Sequence, residues 1–535
     1  MRQIRLRKGG YRKRFLIMSP FVKCKKNYSL VRRKKMRFNK FAAVCIILVF
    51  AFSITSLCLA GGKGKEEVAP MEEAELTITP GTKISVFVDG GINVFPFELF
   101  QERIKEQSGI ELILNPVAQA DVYTKLKNEF VSGTGAFDLV VYFPAQLPEF
   151  VNMGNLRPMD DLVGIRDPKL DDIITPFRKL YCEYNGKLYS LPYDGDLHVY
   201  YYRKDLIKDP VEQKNFKAKY GYALAVPETW EQQKDFAEFF TRKKGEKLVG
   251  KVLANDFYGN GMLLGRGWCH YEWMDHFTSY GGIYFDENLN PMINSQAGLK
   301  ALSDLKQLMK YAPPGVLSWG FTENRGGFLG GNLAAMILWT GTFKYSYNKD
   351  ESKIPGNVGV SHIPGVIVDG KLQYKATMPF GRVMSITSTS KHPAEAFWVA
   401  AFMSAEASID FTFDPRTGED SFRYSHVNAP DKLSEYLANF SKGEVPVDDC
   451  KNYLDAIKAN LEKGYPDLSI PGSNEYMDIL DLYIHKALSG EMSDKAALDK
   501  VAEEWNKISD SLGFESQKSI WLSQLDVWKE LGYVD

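Results

Sequence analysis

Between residues 83 and 143 the chain alternates strand and helix patterns, and that alternation limits the fold more than any other feature of the sequence. "KISVFVDGG" is a β-branched strand ending in glycines, "PFELFQERIKEQSG" an amphipathic helix stopped by Gly109, and "IELILNPVA" a second strand. "VYTKLKNEFVSG" and "FDLVVYFP" supply a second helix and a third strand. Strands alternating with helices predict an α/β fold with a helix-covered parallel sheet, whose ligands bind beyond the carboxyl ends of the strands. Those ends carry Gly90, Gly91, Asn93, Tyr142 and Phe143.

The run "NGKLYSLPYDGDLHVYYYRKDLI", residues 185–207, is extended and apolar but broken by Pro192, Asp194, Gly195 and Asp196. A strand interrupted in this way bends without losing register, as a crossing between two lobes requires, so the break reads as a hinge. Tyr193, Asp194 and Asp196 then stand at a cleft mouth, whereas Tyr200, Tyr201 and Tyr202 read as strand packing. A second lobe follows from about 197 to 340, with helices at "PETWEQQKDFAEFFTRKKG" and "SQAGLKALSDLKQLMKYA". Between them Trp268, His270, Tyr271, Trp273 and His276 cluster, either as a ligand platform or as a core helix, in which Trp273 meets Phe277 four residues on. The strand-like "LAAMILWTGTF" places Trp339, Gly341 and Thr342 where a buried strand gives way to a glycine turn, a second crossing candidate. "KATMPFGRVMSITSTS" supplies another strand, with Gly381 and Arg382 at a bend.

The 535 residues carry a formal net charge of -1, which gives no support for a nucleic-acid partner. That balance is uneven along the chain. Every charged residue before Glu66 is basic, and an uncharged run from Phe41 to Ala60 follows, which reads as an export signal rather than a retained membrane span. Translation from Met36 would leave an ordinary signal length. Cleavage after Ala60 would release a chain with a polar leader over 61–75, while Cys58 offers a lipid-anchor alternative, although Leu57 departs from the small residue usual before such a cysteine. Cys182, Cys269 and Cys450 show neither disulfide nor zinc spacing and read as small buried residues. No P-loop, GxSxG or dinucleotide glycine motif is present, and His270 and His276 lack the spacing of a zinc helix, so no metal or cofactor is expected.

Six segments in order, "NGKLYSLPYDGDLHVYYYRKDL", "VPETWEQ", "YGGIYFDENLNPMINSQAGLKAL", "GGNLAAMILWTG", "GNVGVSHIPG" and "GRVMSITSTSKHPAEAFWVAAFM", resemble the carbohydrate-binding group of extracellular solute-binding proteins of ATP-driven importers. The resemblance implies a periplasmic-binding-protein-like fold of two discontinuous lobes joined by hinge strands, closing on a sugar, sugar alcohol or oligosaccharide. It divides the chain into 76–194 with 343–404 and 195–342 with 405–535. Its cleft draws on Asn93, Tyr142, Tyr193, Asp194, Trp268, Trp339, Gly341 and Arg382. It further implies a periplasmic or extracellular monomer that delivers its ligand to membrane permease subunits. A secreted glycoside hydrolase or a sugar sensor is the alternative, since rings and paired carboxylates serve those too. The segment "IKDPVEQKNFKAKYGYALAV" is longer than a minimal member of the family needs.

Overall fold

In the computed structural model, residues 77–378 and 381–534 are described. The export signal, the leader and the cleavage or lipidation positions Cys58 and Ala60 fall outside them. β1 (Lys83–Asp89), β2 (Glu111–Val117) and β3 (Leu139–Tyr142) form as the sequence predicts, joined by helices α1 (Phe95–Ser108) and α2 (Val122–Ser132). Gly109 ends α1 in the left-handed conformation at φ 75°, returning its N–H to the Lys105 carbonyl, a geometry glycine adopts without a Cβ penalty. β1 pairs in parallel with β2 from Lys83 opposite Glu111, and with β3 from Val86 opposite Leu139.

β4 (Leu191–Asp194) belongs to the first sheet, and β5 (His198–Arg203) to the second, together with β6 (Ala335–Trp339) and β7 (Val358–Ser361). β8 (Ala376–Met378) precedes β9 (Arg382–Ile386), and β10 (Gly464–Pro466) pairs with β8 in parallel. The first sheet has the order β2-β1-β3-β9-β4, and the second the order β6-β5-β7. β9 runs antiparallel to both β3 and β4, so the first sheet is mixed rather than wholly parallel. Pro192 is tolerated because β4 is an edge strand, where a missing N–H breaks no inner ladder.

The chain leaves the first sheet at Gly195. A Cβ there would lie 2.4 Å from the Ser421 carbonyl oxygen, so the crossing needs glycine for close backbone approach. Val358 and Val360 pair with Arg203 and Tyr201 of β5 in the second sheet, and β9, which begins at Arg382, belongs to the first. Beyond residue 405, Phe411 packs on Phe100 and Tyr193, and the Ile174 N–H bonds to the Phe422 carbonyl.

In the second lobe, α3 (Pro210–Tyr220) lies within the segment 207–226 and α4 (Trp230–Phe240) follows it, and Thr229 caps α4 reciprocally with Gln232. α5 (Cys269–Ser279) is buried along its whole length. Trp273 stacks on Phe277 at 4.4 Å and its indole donates to the Gly298 carbonyl, which makes it a core residue. α6 (Ser473–Leu488) packs across α5. Cys182, Cys269 and Cys450 are free and buried. Among the described residues no helix is long and apolar enough to cross a membrane.

Candidate functional site

The carboxyl ends of β2 and β3 lead to Gln119 and to Phe143 and Gln146, as the parallel pairing of those strands requires. Opposite them stand Trp268, His270 and Tyr271 at the start of α5, with Asn474 and Met477 of α6 closing the side. Together they line a cavity of about 410 Å³. A neighbouring cavity of about 600 Å³ shares Gln119 and Trp268 and extends to Arg266, Phe321 and His485. Trp339 ends β6 beneath this wall. Its ring meets His198, Trp268, Tyr271 and Phe321 edge-on, with centroids 4.7, 5.7, 5.8 and 5.8 Å away.

The polar rim is preorganised. Asp481 accepts the Gly267 N–H at 2.7 Å, shares a hydrogen bond with His270 Nδ1 at 3.0 Å, and pairs with Arg266, which Asp478 also holds. Burial opposes ionisation of Asp481, but the hydrogen bond and charge of His270 outweigh it and hold the carboxyl below its usual range. Tyr123 donates to Glu149, which in turn accepts the Gly472 N–H at the start of α6.

Behind Phe143 lies a second polar assembly. The Arg382 guanidinium stands over the Phe143 ring at 5.5 Å and bonds to Asp89 at 2.9 Å and Asp194 at 2.6 Å, with Asp196 at 3.7 Å. Asp194 also accepts the Asp420 N–H at 2.7 Å. Asp420 takes the Thr340 hydroxyl at 2.5 Å and the Gly341 N–H at 2.9 Å, while Asp196 takes the Gly381 N–H at 3.2 Å. The chain crossings at Gly195 and Gly381 and the end of β6 are therefore knotted by carboxylates. Asp194, Asp196 and Asp420 each bring one oxygen within 4.8 Å of the others, close enough to share a cation, though Arg382 already pairs with the first. Burial pushes Asp194 up to about 6 and raises Asp196, Glu419 and Asp420 as well.

Of the residues expected from sequence, Trp268 lines both cavities. Trp339 supports it from below and is 5% exposed. Asn93, Asp194, Gly341 and Arg382 converge at the hinge: Asn93 donates to Asp89 at 2.6 Å, and the others bond as above. Tyr142 and Tyr193 are core residues, contrary to expectation. Tyr142 bonds to Ser385 and packs edge-on against Phe150. Tyr193 stacks on Phe97 and donates to the Asn93 carbonyl. Alternation along a strand explains the miss, since Phe143, one residue past Tyr142, turns to the cavity instead. Gln119 lines both cavities just past a strand end, where sequence could have pointed to it, whereas Gln146 and Asn474 carried no sequence signal.

A two-lobe α/β body with a ring-walled cavity beyond its strand ends and a knotted hinge is the architecture of a solute-binding protein. The family model described as bacterial extracellular solute-binding protein matches residues 97–409, more than half of the chain, and the chain belongs to that family. It is 26% identical over 274 residues to a mannitol-binding protein of Pseudomonas aeruginosa, covering 51% of this chain and 58% of that protein. A probable amino-acid ABC transporter periplasmic-binding protein of Sinorhizobium fredii is 27% identical over 291 residues, covering 53% and 62%. The chain thus spans about three fifths of the length of these curated relatives. Among solved structures, a ribitol complex from Agrobacterium radiobacter superposes with a TM-score of 0.64 at 23% identity, covering 81% of this chain and all of that one. A mannitol complex from Agrobacterium vitis gives 0.61 at 22%, covering 82% and 99%.

Proposed function

We propose that this protein captures a sugar, sugar alcohol or oligosaccharide between its lobes outside the cytoplasm and delivers it to the permease subunits of an ATP-driven importer. One observation carries the reading: the wall of Trp268, Tyr271 and Phe143 around a cavity whose rim holds Gln119, Gln146, Asn474 and Asp481. Sugar C–H faces pack on rings, and hydroxyls take fixed amides and carboxylates. The ribitol and mannitol named for two structural neighbours support that ligand class. An amino acid, named for one relative, would need a cation for its carboxylate, and Arg266 is already paired with Asp478 and Asp481.

In this reading lobe one comprises about 77–194 and 381–423, and lobe two about 195–378 and 430–534. A ligand touching both lobes favours closure by differential affinity alone, so no chemistry is required and the protein acts as a monomeric carrier, not an enzyme. Export precedes this role, with Cys58 the candidate for a lipid anchor. Native mass spectrometry of the purified protein, followed by calorimetric titration with D-mannitol, ribitol, maltose and a panel of amino acids, tests the assignment. Binding of a polyol or sugar that is recovered unchanged supports it; recovery of cleaved product, or binding of amino acids alone, overturns it.

A further inference from the structure

The segment 207–226 builds a wall of a cavity. α3 ends at Tyr220, and Tyr222 follows it across a glycine turn. Both rings form one wall of a cavity of about 840 Å³, larger than either cleft cavity and sharing no lining residue with them. Trp230, the first residue of α4, and Tyr280, just past the end of α5, form the other walls. Ile367, on an exposed hairpin and 57% accessible, forms the lip.

The polar groups are placed as in a carbohydrate site. Asp235 accepts the Tyr222 hydroxyl at 3.2 Å. Asp304 accepts the Tyr280 hydroxyl at 2.5 Å and Lys300 at 2.6 Å, leaving carboxylates fixed beside aromatic faces. Trp230 is 4% exposed, stacks on His276 at 3.7 Å, and its indole N–H has no acceptor among the described residues. A buried donor left unbonded is costly, and here it belongs to a ring that lines the cavity. The lining cations Lys234 and Lys300 stand against Glu231, Asp235 and Asp304, too even a balance to select a strongly charged ligand.

We infer that this cavity is a second carbohydrate-binding site, on lobe two and outside the cleft, formed by the Tyr220–Tyr222 segment and suited to a neutral oligosaccharide. Its volume lies within the range of ligand pockets and exceeds what one sugar ring fills. Rings separated by carboxylates match the alternating C–H faces and hydroxyl edges of successive sugars.

Maltotetraose, cellotetraose and mannotetraose are the probes, titrated into the full chain with bound equivalents counted by native mass spectrometry and contacts mapped by saturation-transfer NMR. At least one should bind a Trp268→Ala variant, whose cleft wall is broken, and lose at least tenfold in affinity when Tyr222→Ala and Asp235→Asn are added. Tyr222 and Asp235 are partly exposed, so these changes should leave the melt within a few degrees, and Lys300→Ala on the rim provides an independent variant if they do not. Binding that vanishes with Trp268→Ala, or that survives the cavity substitutions, overturns the second site without touching the cleft reading. Absence of any tetrasaccharide binding to that cleft variant overturns it as well.

Discussion

The hinge and the cleft wall lie back to back, separated by the Phe143 ring, yet they spend their side chains differently. At the hinge, Asp89, Asp194 and Asp196 gather around Arg382, Asp420 accepts from Thr340 and Gly341, and Lys344 donates to the Glu419 carbonyl, while the Glu419 carboxylate and one Asp420 oxygen find no hydrogen-bond partner among the described residues. At the wall, Trp268, Tyr271 and Phe143 line open volume. Polar residues that resemble ligand contacts in sequence hold the crossings together, while the aromatic residues line the cavity. Charged groups in a dry interior need partners before anything else, and rings do not.

The largest test of this contrast is Arg382→Met. Removing the guanidinium leaves Asp89 and Asp194 buried without their cation, and losing one partner of a buried pair costs about 3–5 kcal/mol. Urea denaturation of the ligand-free protein should show that loss. A variant with normal stability but no sugar binding would move Arg382 from the hinge to the site.

Next come the two tryptophans. Trp339→Ala should destabilise the ligand-free protein by about 3–5 kcal/mol, as large-to-small core changes do, because four rings enclose it. Trp268→Ala should instead weaken binding by at least about 2 kcal/mol, roughly thirtyfold, with little change in the ligand-free melt. Calorimetric titration beside a thermal melt separates them, and the reverse pattern would exchange platform and support.

The sequence carried the alternation of strand and helix, the glycine cap at 109 and the broken strand at 192–196, because each depends on local backbone chemistry. It marked Trp268 and Trp339 for the same reason: both stand where an element begins or ends. It could not reveal which way a side chain turns. Tyr142 and Phe143 are adjacent rings at one strand end, and only packing against Phe150 assigns the first to the core. Nor could it bring Asp420 to Asp194, or Asn474 to the cavity, since those contacts join segments more than two hundred residues apart whose meeting depends on the whole fold. Strand partners lie beyond local reading on the same ground: "GNVGVSHIPG" is a plain strand pattern, and the partner strand that claims it is chosen by tertiary pairing.

A smaller effect, in pH, sharpens the hinge side of the comparison. Unfolded carboxylates titrate near about 4, and burial raises Asp194 to about 6 and lifts Asp196, Glu419 and Asp420 with it. The folded state then holds these protons more tightly than the unfolded chain, so their contribution is fully present below about pH 4 and is lost as pH rises through about 6 and above. Asp420→Asn removes one charge from the cluster while its amide oxygen still accepts from Thr340 and Gly341. Compared with the parent, the variant should gain on the order of 1 kcal/mol between about pH 4 and 8. Parallel denaturation curves at both pH values would show equal stabilities if these carboxylates titrate as surface groups do.

The smallest effect belongs to the rim. Gln119 lies two residues past the end of β2 and lines both cleft cavities, so its amide can reach a hydroxyl of a solute held against Trp268. It sits on the surface, outside the core and the hinge, so Gln119→Ala should leave the melt unchanged. Losing one neutral hydrogen bond that water partly replaces is worth about 0.5–1.5 kcal/mol, a loss of a few-fold to about tenfold in affinity. Titration of the variant with the best-binding sugar or polyol decides between two accounts of the rim. A few-fold loss with unaltered stability means that amides at the strand ends tune a site whose energy lies in its rings. No loss at all means that the solute sits deeper, against Tyr271 and Phe143, and that the cavity mouth serves only as an entrance.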